Sequence, residues 1–150
     1  MRLRAAGLDD AAFVTALVPR FVEHGVAGGH SRDEVLEGTE RVLLDALARP
    51  TPDELFLIAE DEGDEPAGFV YAVTHIDFFT GEPYAHVSEI AAARSGAGAG
   101  GALMAAVERW ARERGYRMVT LNVIEENADA RRFYERLDYG PHHQQLIKRW

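Results

Sequence analysis

The stretch from Val87 to Gly115, VSEIAAARSGAGAGGALMAAVERWARERG, constrains this chain more than any other. Its left end reads as a strand, with Val87 and Ile90 in apolar company. Its middle holds Gly96, Gly98, Gly100 and Gly101, four of the chain's 14 glycines. Its right end has helical spacing, with Leu103, Ala106/Val107, Trp110 and Arg114 along one stripe. Strand, glycine loop and helix together make an anion site. Residues without side chains let backbone approach a ligand, and the first helical turn offers unpaired N–H groups at the positive end of the dipole. A phosphate or pyrophosphate is the guest such a site takes.

The remaining elements follow from punctuation and period. Arg2–Ala5 predicts a first strand. Asp9 or Asp10 caps a helix carrying Phe13, Leu17 and Phe21, which Gly25, Gly28 and Gly29 end. Ser31 with Glu34 three positions on is a capping box, opening a second helix on Leu36, Leu43, Leu44 and Leu47. Pro50 and Pro52 close it. Strands are expected over Leu55–Glu60, Ala67–Ile76, Tyr84–Ala92 and Arg117–Ile124, with a last one over Gln144–Arg149. Asn127 caps a short helix whose stripe is Ala130, Phe133, Tyr134 and Leu137. The fold class expected is mixed α/β (α+β), one domain over 1–150 around one sheet.

Composition narrows the function. The net charge of −9 argues against nucleic acid as a partner. The first 100 residues carry 7 basic and 18 acidic side chains, the last 50 carry 9 and 7. A cationic ligand suits the first part better, a polyanion the second; acidic side chains also serve solubility alone. No apolar run is long enough for a membrane span, and MRLRAAGLDD lacks a signal-peptide core, so a cytoplasmic place is expected. With no cysteine there is no thiol nucleophile, and the six histidines show no zinc spacing, so no metal is expected.

Two other readings of the loop are weaker. A P-loop needs Gly-Lys-Ser/Thr, but Ala102 and Leu103 follow Gly101, and Lys148 is the only lysine. Glycines at 96, 98 and 101 match a dinucleotide spacing, but too little chain follows to complete that sheet. A flexible glycine linker is the plain structural alternative.

From Ala85 to Tyr139 the chain resembles the GNAT superfamily of N-acetyltransferases. The matching segments are HVSEIAAA, SGAGAGGALMAAVERWARERG and VTLNVIEENADARRFYERLDYG. RLRAAGLDDAAFVTALV resembles the family's opening strand and helix more weakly. The resemblance implies a mostly antiparallel sheet whose central strands splay apart. It implies that the pantetheine arm of acetyl-CoA lies along Ile90, Ala91 and Ala92, and that the pyrophosphate sits on Ala97, Gly98, Ala99, Gly100 and Gly101. It places the family's Asn at Asn127 and its frequent tyrosine general acid at Tyr134. Three departures stand out. Ser95, beside Arg94, occupies the place of an Arg or Gln three before Gly98. The segment from Glu89 to Gly96 is short and lacks the usual proline. Asp138 replaces a glycine after Leu137.

The base must come from the residues themselves. Glu89, mid-strand in an apolar run, is the candidate whose pKa burial would raise. His86, Asp77, His75 and Glu82 are the runners-up, and Phe78, Phe79 and Tyr84 line a pocket or belong to the core. The expectation is an acetyl-CoA-dependent N-acyltransferase acting in a ternary complex on a small, cationic amine, or on a protein or peptide amine. A non-catalytic CoA-binding or regulatory module of the same fold is the alternative. The apolar C-terminal segment ending at Trp150 could pair across a homodimer.

Overall fold

The computed structural model describes residues 1–150. Its elements are strand β1 (Arg2–Ala5), helix α1 (Ala11–Leu17), helix α2 (Arg32–Ala48), strands β2 (Glu54–Glu60), β3 (Pro66–Ile76) and β4 (Pro83–Ala92), helix α3 (Ala99–Glu113), strand β5 (Val119–Leu121) and helix α4 (Ala128–Arg136). Short 3-10 turns flank α1, at Leu8–Asp10 and Val18–Val22. The sequence predicts one helix here. Pro19, which has no N–H to continue the α ladder, stands where the helix tightens instead. The capping box at α2 forms as read: Ser31 Oγ accepts from the Glu34 amide at 3.1 Å.

The five strands form one sheet in the order β1-β2-β3-β4-β5. The first four are antiparallel neighbours, and β5 runs parallel to β4, so α3 is the crossover between them. One face buries Ile58, Phe69, Tyr71 and Ala91 under Val14 and Leu17 of α1 and Leu43 and Leu47 of α2. The other buries Ala59, Val70, Ala72 and Val87 under Leu103, Met104 and Val107 of α3, with Phe133, Tyr134 and Leu137 of α4 packed against that cluster. Central strands covered on both faces read as continuous apolar runs, as FVYAV does in β3.

Two predicted strands are corrected. The strand expected over Arg117–Ile124 shrinks to Val119–Leu121, because only three residues find partners on β4. The segment Gln144–Arg149 joins no strand. Leu146, Ile147 and Trp150 stand exposed, and Ile147 lies beside Gly28. A Cβ at Gly28 would lie 2.0 Å from Ile147 Cδ1, the end of an exposed side chain that would have to shift. Asp138 takes the left-handed conformation its family position calls for, with φ at 65°. No helix is long and apolar enough to cross a membrane.

Candidate active site

The site is built where β4 outlives its partner. The β4–β5 ladder consists of Ala85–Val119, His86–Thr120 and Val87–Leu121, after which β4 continues to Ala92 paired with β3 but with no strand on its other side. The splay is therefore a stretch of strand edge without a neighbour. The Ala93 amide donates to the Ala67 carbonyl across β3 at 2.8 Å. Alternation along the strand then turns the Ala91 backbone toward β3, and the N–H and C=O groups of Ile90 and Ala92 toward the open side. Ile90 thus presents both backbone groups to the open side, Ala92 presents its N–H there while its carbonyl accepts from Arg20, and Ala91 turns away.

A bulge sets the side chains of this edge. Tyr71 pairs with Glu89, but the next residue, Ala72, pairs with Val87, which leaves Ser88 unmatched. A bulge adds one residue and reverses the alternation beyond it. Val87 and Ile90 consequently both belong to the α3 side, while Glu89 shares the face of Tyr71 and Ala91. His86, paired with Val73, shares the Glu89 face despite the odd spacing. Simple alternation would have put Glu89 on the Val87 face.

Glu89 is enclosed without a cation. Burial pushes its carboxyl up to about 7, and no opposite charge holds it down. Tyr134 lies on α4, on the α3 side of the sheet, among Phe133 and Tyr139, with ring centroids 5.0 and 6.0 Å away. Burial first, then the Glu89 charge, pushes its hydroxyl up to about 12. One carboxyl and one phenol therefore belong to opposite faces of the sheet and sense each other across the opening. Near neutrality the carboxyl can take a proton, and the phenol holds one.

Asn127 holds α4 in place. Its side-chain oxygen accepts from the Ala130 amide at 3.1 Å, which fixes its orientation and leaves its NH2 group free to donate. The helix is polar on its outer face and buries no residue fully, so the cap and the ring contacts fix Tyr134.

The glycine loop opens α3 as a cradle. Gly96 and Gly98 have φ of 77° and 88°, a conformation L side chains rarely adopt. The first backbone bond of the helix is Ala102 N–H to Gly98 C=O at 3.1 Å, so the amides of Ala99, Gly100 and Gly101 precede the ladder. No acidic side chain stands in that first turn. A Cβ at Gly98 or Gly101 would meet nothing within 4 Å, so these face open space. Gly100 differs: a Cβ there would lie 3.2 Å from the tip of the Phe133 ring. Ala97 is exposed, whereas Ala99 is buried and anchors the loop in the core. These donors and this space fit a pyrophosphate.

The other sequence candidates serve the scaffold or stand apart. His75 and His86 stack at 4.6 Å, and His86 Nδ1 lies 2.7 Å from Thr120 Oγ1; burial, then His75, lowers the His86 pKa. Asp77 accepts from the Phe79 and Thr80 amides at 2.8 and 2.9 Å and so shapes the β3–β4 turn, which holds its carboxyl below the usual range. Glu82 pairs with Arg117 at 3.2 Å. Phe78 and Phe79 are neither core nor pocket wall: they are 92% and 90% exposed at the turn. No group of three or more His, Asp or Glu side chains gathers as metal ligands.

Two site features escape the sequence reading. One is the bulge at Ser88. The other is Arg20, whose guanidinium donates to the Ala92 carbonyl from 72 residues away. Neither has a local signal, since both depend on what the strand meets in space.

Residues 25–139 match the model of the Acetyltransferase (GNAT) family. Among solved structures, a protein from Pyrococcus furiosus described as an acetyl transferase is 25% identical, with a TM-score of 0.67 over 94% of this chain and 89% of that one. The aminoglycoside antibiotic 6′-N-acetyltransferase AAC(6′)-Ig from Acinetobacter haemolyticus shares the fold at 14% identity, with a TM-score of 0.71 over 100% of this chain and 98% of that one. AAC(6′)-Iy in complex with the bisubstrate analog CoA-S-monomethyl-acetylneamine shares it at 19% identity, with a TM-score of 0.69 over 99% and 97%. An alignment of 64 positions, covering 39% of this chain and 15% of the other, is 36% identical to a phosphopentomutase from Chromohalobacter salexigens.

Proposed function

The chain belongs to the GNAT acetyltransferase family, and from that premise we propose that it moves an acetyl group from acetyl-CoA to a primary amine of a small, cationic acceptor, by direct attack in a ternary complex. The observation that carries this reading is the pair of unlike acids at the splay: a carboxyl raised to about 7 and a phenol raised to about 12. Two groups whose surroundings push them to different pKa values divide the roles of base and acid between them.

Acetyl-CoA, when bound, supplies a thioester carbonyl for attack and a thiolate as leaving group. The amides of Ala99, Gly100 and Gly101, with the exposed loop at Ala97 and Gly98, hold the pyrophosphate. The open edge of β4 at Ile90 and Ala92 orients the pantetheine arm, and the free amide group of Asn127 adds a donor beside it. Glu89 takes the proton the incoming ammonium must lose, directly or through a water. Tyr134 gives its hydroxyl proton to the departing sulfur. A cysteine acyl-enzyme has no candidate in a chain without cysteine.

The acceptor class rests on charge. Acidic side chains outnumber basic ones 18 to 7 in the first 100 residues. Glu126, in the segment between β5 and α4, adds an acid beside the loop after α1: its Oε2 would be 3.8 Å from a Cβ at Gly25. A field of one sign concentrates the opposite sign. Aminoglycoside antibiotics, named for the Acinetobacter haemolyticus relative, are polycationic amines. The test is thiol release from acetyl-CoA with a panel of polyamines, amino sugars and basic peptides against neutral amines. Turnover of cationic amines, weakening as salt rises, supports the reading. Tight acetyl-CoA binding with no turnover on any amine assigns the chain to a non-catalytic CoA-binding module instead.

A further inference from the structure

The carbonyl of Ala92 is the last acceptor on the open edge of β4, and it is already engaged. Arg20, in the 3-10 turn after α1, reaches across and donates to it. The guanidinium pairs with Glu23 through one long contact, Nε to Oε1 at 3.8 Å, to an exposed carboxylate. It brings a loosely paired positive charge to the strand end that leads into the loop at Arg94–Gly98. Ser95 stands in that loop where the family pattern has an Arg or Gln.

We propose that Arg20 is a donor-specificity residue, which caps the Ala92 carbonyl when no donor is present and turns to the phosphates of CoA when one is. The proposal rests on the acetyl-CoA reading above. The pantetheine arm needs the open edge of β4, so it competes with Arg20 for Ala92. The phosphates attract the displaced guanidinium, whose planar fork of donors matches their oxygens. Arg20 thus stands in, from a different element, for the cation missing at Ser95. The exchange also makes the site discriminate. A neutral pantetheine thioester must displace Arg20 and offers it nothing, whereas CoA offers it a charge-assisted partner.

Binding of CoA and of S-acetylpantetheine, which lacks the phosphates, tests this by calorimetry on the full chain. Arg20→Gln keeps a donor for the Ala92 carbonyl but removes the charge. It should weaken CoA about tenfold, the scale of one charge-assisted hydrogen bond, and flatten the salt dependence of CoA binding. It should leave S-acetylpantetheine unchanged. Arg20→Ala should weaken CoA by a similar factor and tighten S-acetylpantetheine, because the competitor is gone. Equal weakening of both ligands in either variant, or CoA binding as in the wild type, overturns the proposal and leaves Arg20 a structural clamp. A wild-type chain that binds no CoA refutes the acetyl-CoA reading itself, and the Arg20 proposal falls with it.

Discussion

The two ends of the sheet enclose acids in opposite ways. At the β1–β2 end, Glu60 and Asp10 are 5% and 6% exposed, and both are paired. Arg2 and Arg4 share Glu60, and Arg4 also forks onto Asp10 at 2.7 and 2.9 Å. These hydrogen bonds hold both carboxyls below their usual range. At the β4–β5 end, Glu89 is enclosed with no cation, and burial raises it to about 7. A buried acid with its counter-charge is locked as an anion and serves the fold. A half-buried acid without one, as Glu89 is, stays poised near neutrality and can exchange a proton. Burial by itself separates neither; the presence of the arginine does.

Removing the poised carboxyl should have the largest effect on turnover. Glu89→Gln keeps its shape and should lower the rate by roughly 10²–10⁴-fold, the range for a general base. In the wild type the rate should climb with pH through about 7 as Glu89 ionises. The variant should lose that limb, and a pH–rate profile reads both. The sign for stability is the reverse. A carboxyl raised in the folded state binds its proton more tightly there than when unfolded, so it costs stability as pH rises from its unfolded value through about 7. Glu89→Gln should therefore be at least as stable as the wild type at pH 8. An unchanged profile would move the base to His86 or to the acceptor's own solvent.

Tyr134→Phe keeps the ring among Phe133 and Tyr139 and removes only the hydroxyl. Turnover should fall by about 10²-fold with CoA affinity barely altered. Wild-type turnover would return Tyr134 to the core.

Gly98→Val tests the loop on binding alone. It forces a β-branched residue into φ of 88° beside open space, so CoA affinity should drop by about tenfold or more while the far end of the sheet stays folded. Gly100 is the less clean position for this test, because a side chain there crowds Phe133 and mixes a packing change with the change at the loop.

Arg4→Ala is the smallest change at the site and breaks the paired end. It strips Asp10 of its arginine and leaves Glu60 with Arg2 alone. Turnover per folded molecule should not change, but the thermal midpoint should fall by several degrees. Acids depressed in the folded state contribute stability that is present above their unfolded pKa and lost as pH falls through the folded one. In the wild type that loss comes at low pH, and Arg4→Ala should soften the pH dependence there. A variant with normal stability and lost activity would abolish the contrast between the two ends.

Much of this protein is written locally. The capping box at Ser31, the cap at Asn127, the turn between β2 and β3 and the glycine loop are each decided by neighbouring residues, because caps, turns and amphipathic stripes act over a few positions. Composition and the absence of cysteine likewise set the charge and the chemistry available. Tertiary structure decided the rest. The strand expected over Arg117–Ile124 stops at Leu121 because the chain leaves β4 there, although its own alternation continues and β4 runs on to Ala92. The tail over Gln144–Arg149 carries the β-prone pair Leu146 and Ile147, yet it lies beside Gly28 instead of joining the sheet. The bulge at Ser88 turns Glu89 away from Val87, and Arg20 finds Ala92 across 72 residues of chain. A strand's length and register depend on its partner, and a long side chain's contact depends on which elements the core brings together. Neither is a property of the segment that carries it.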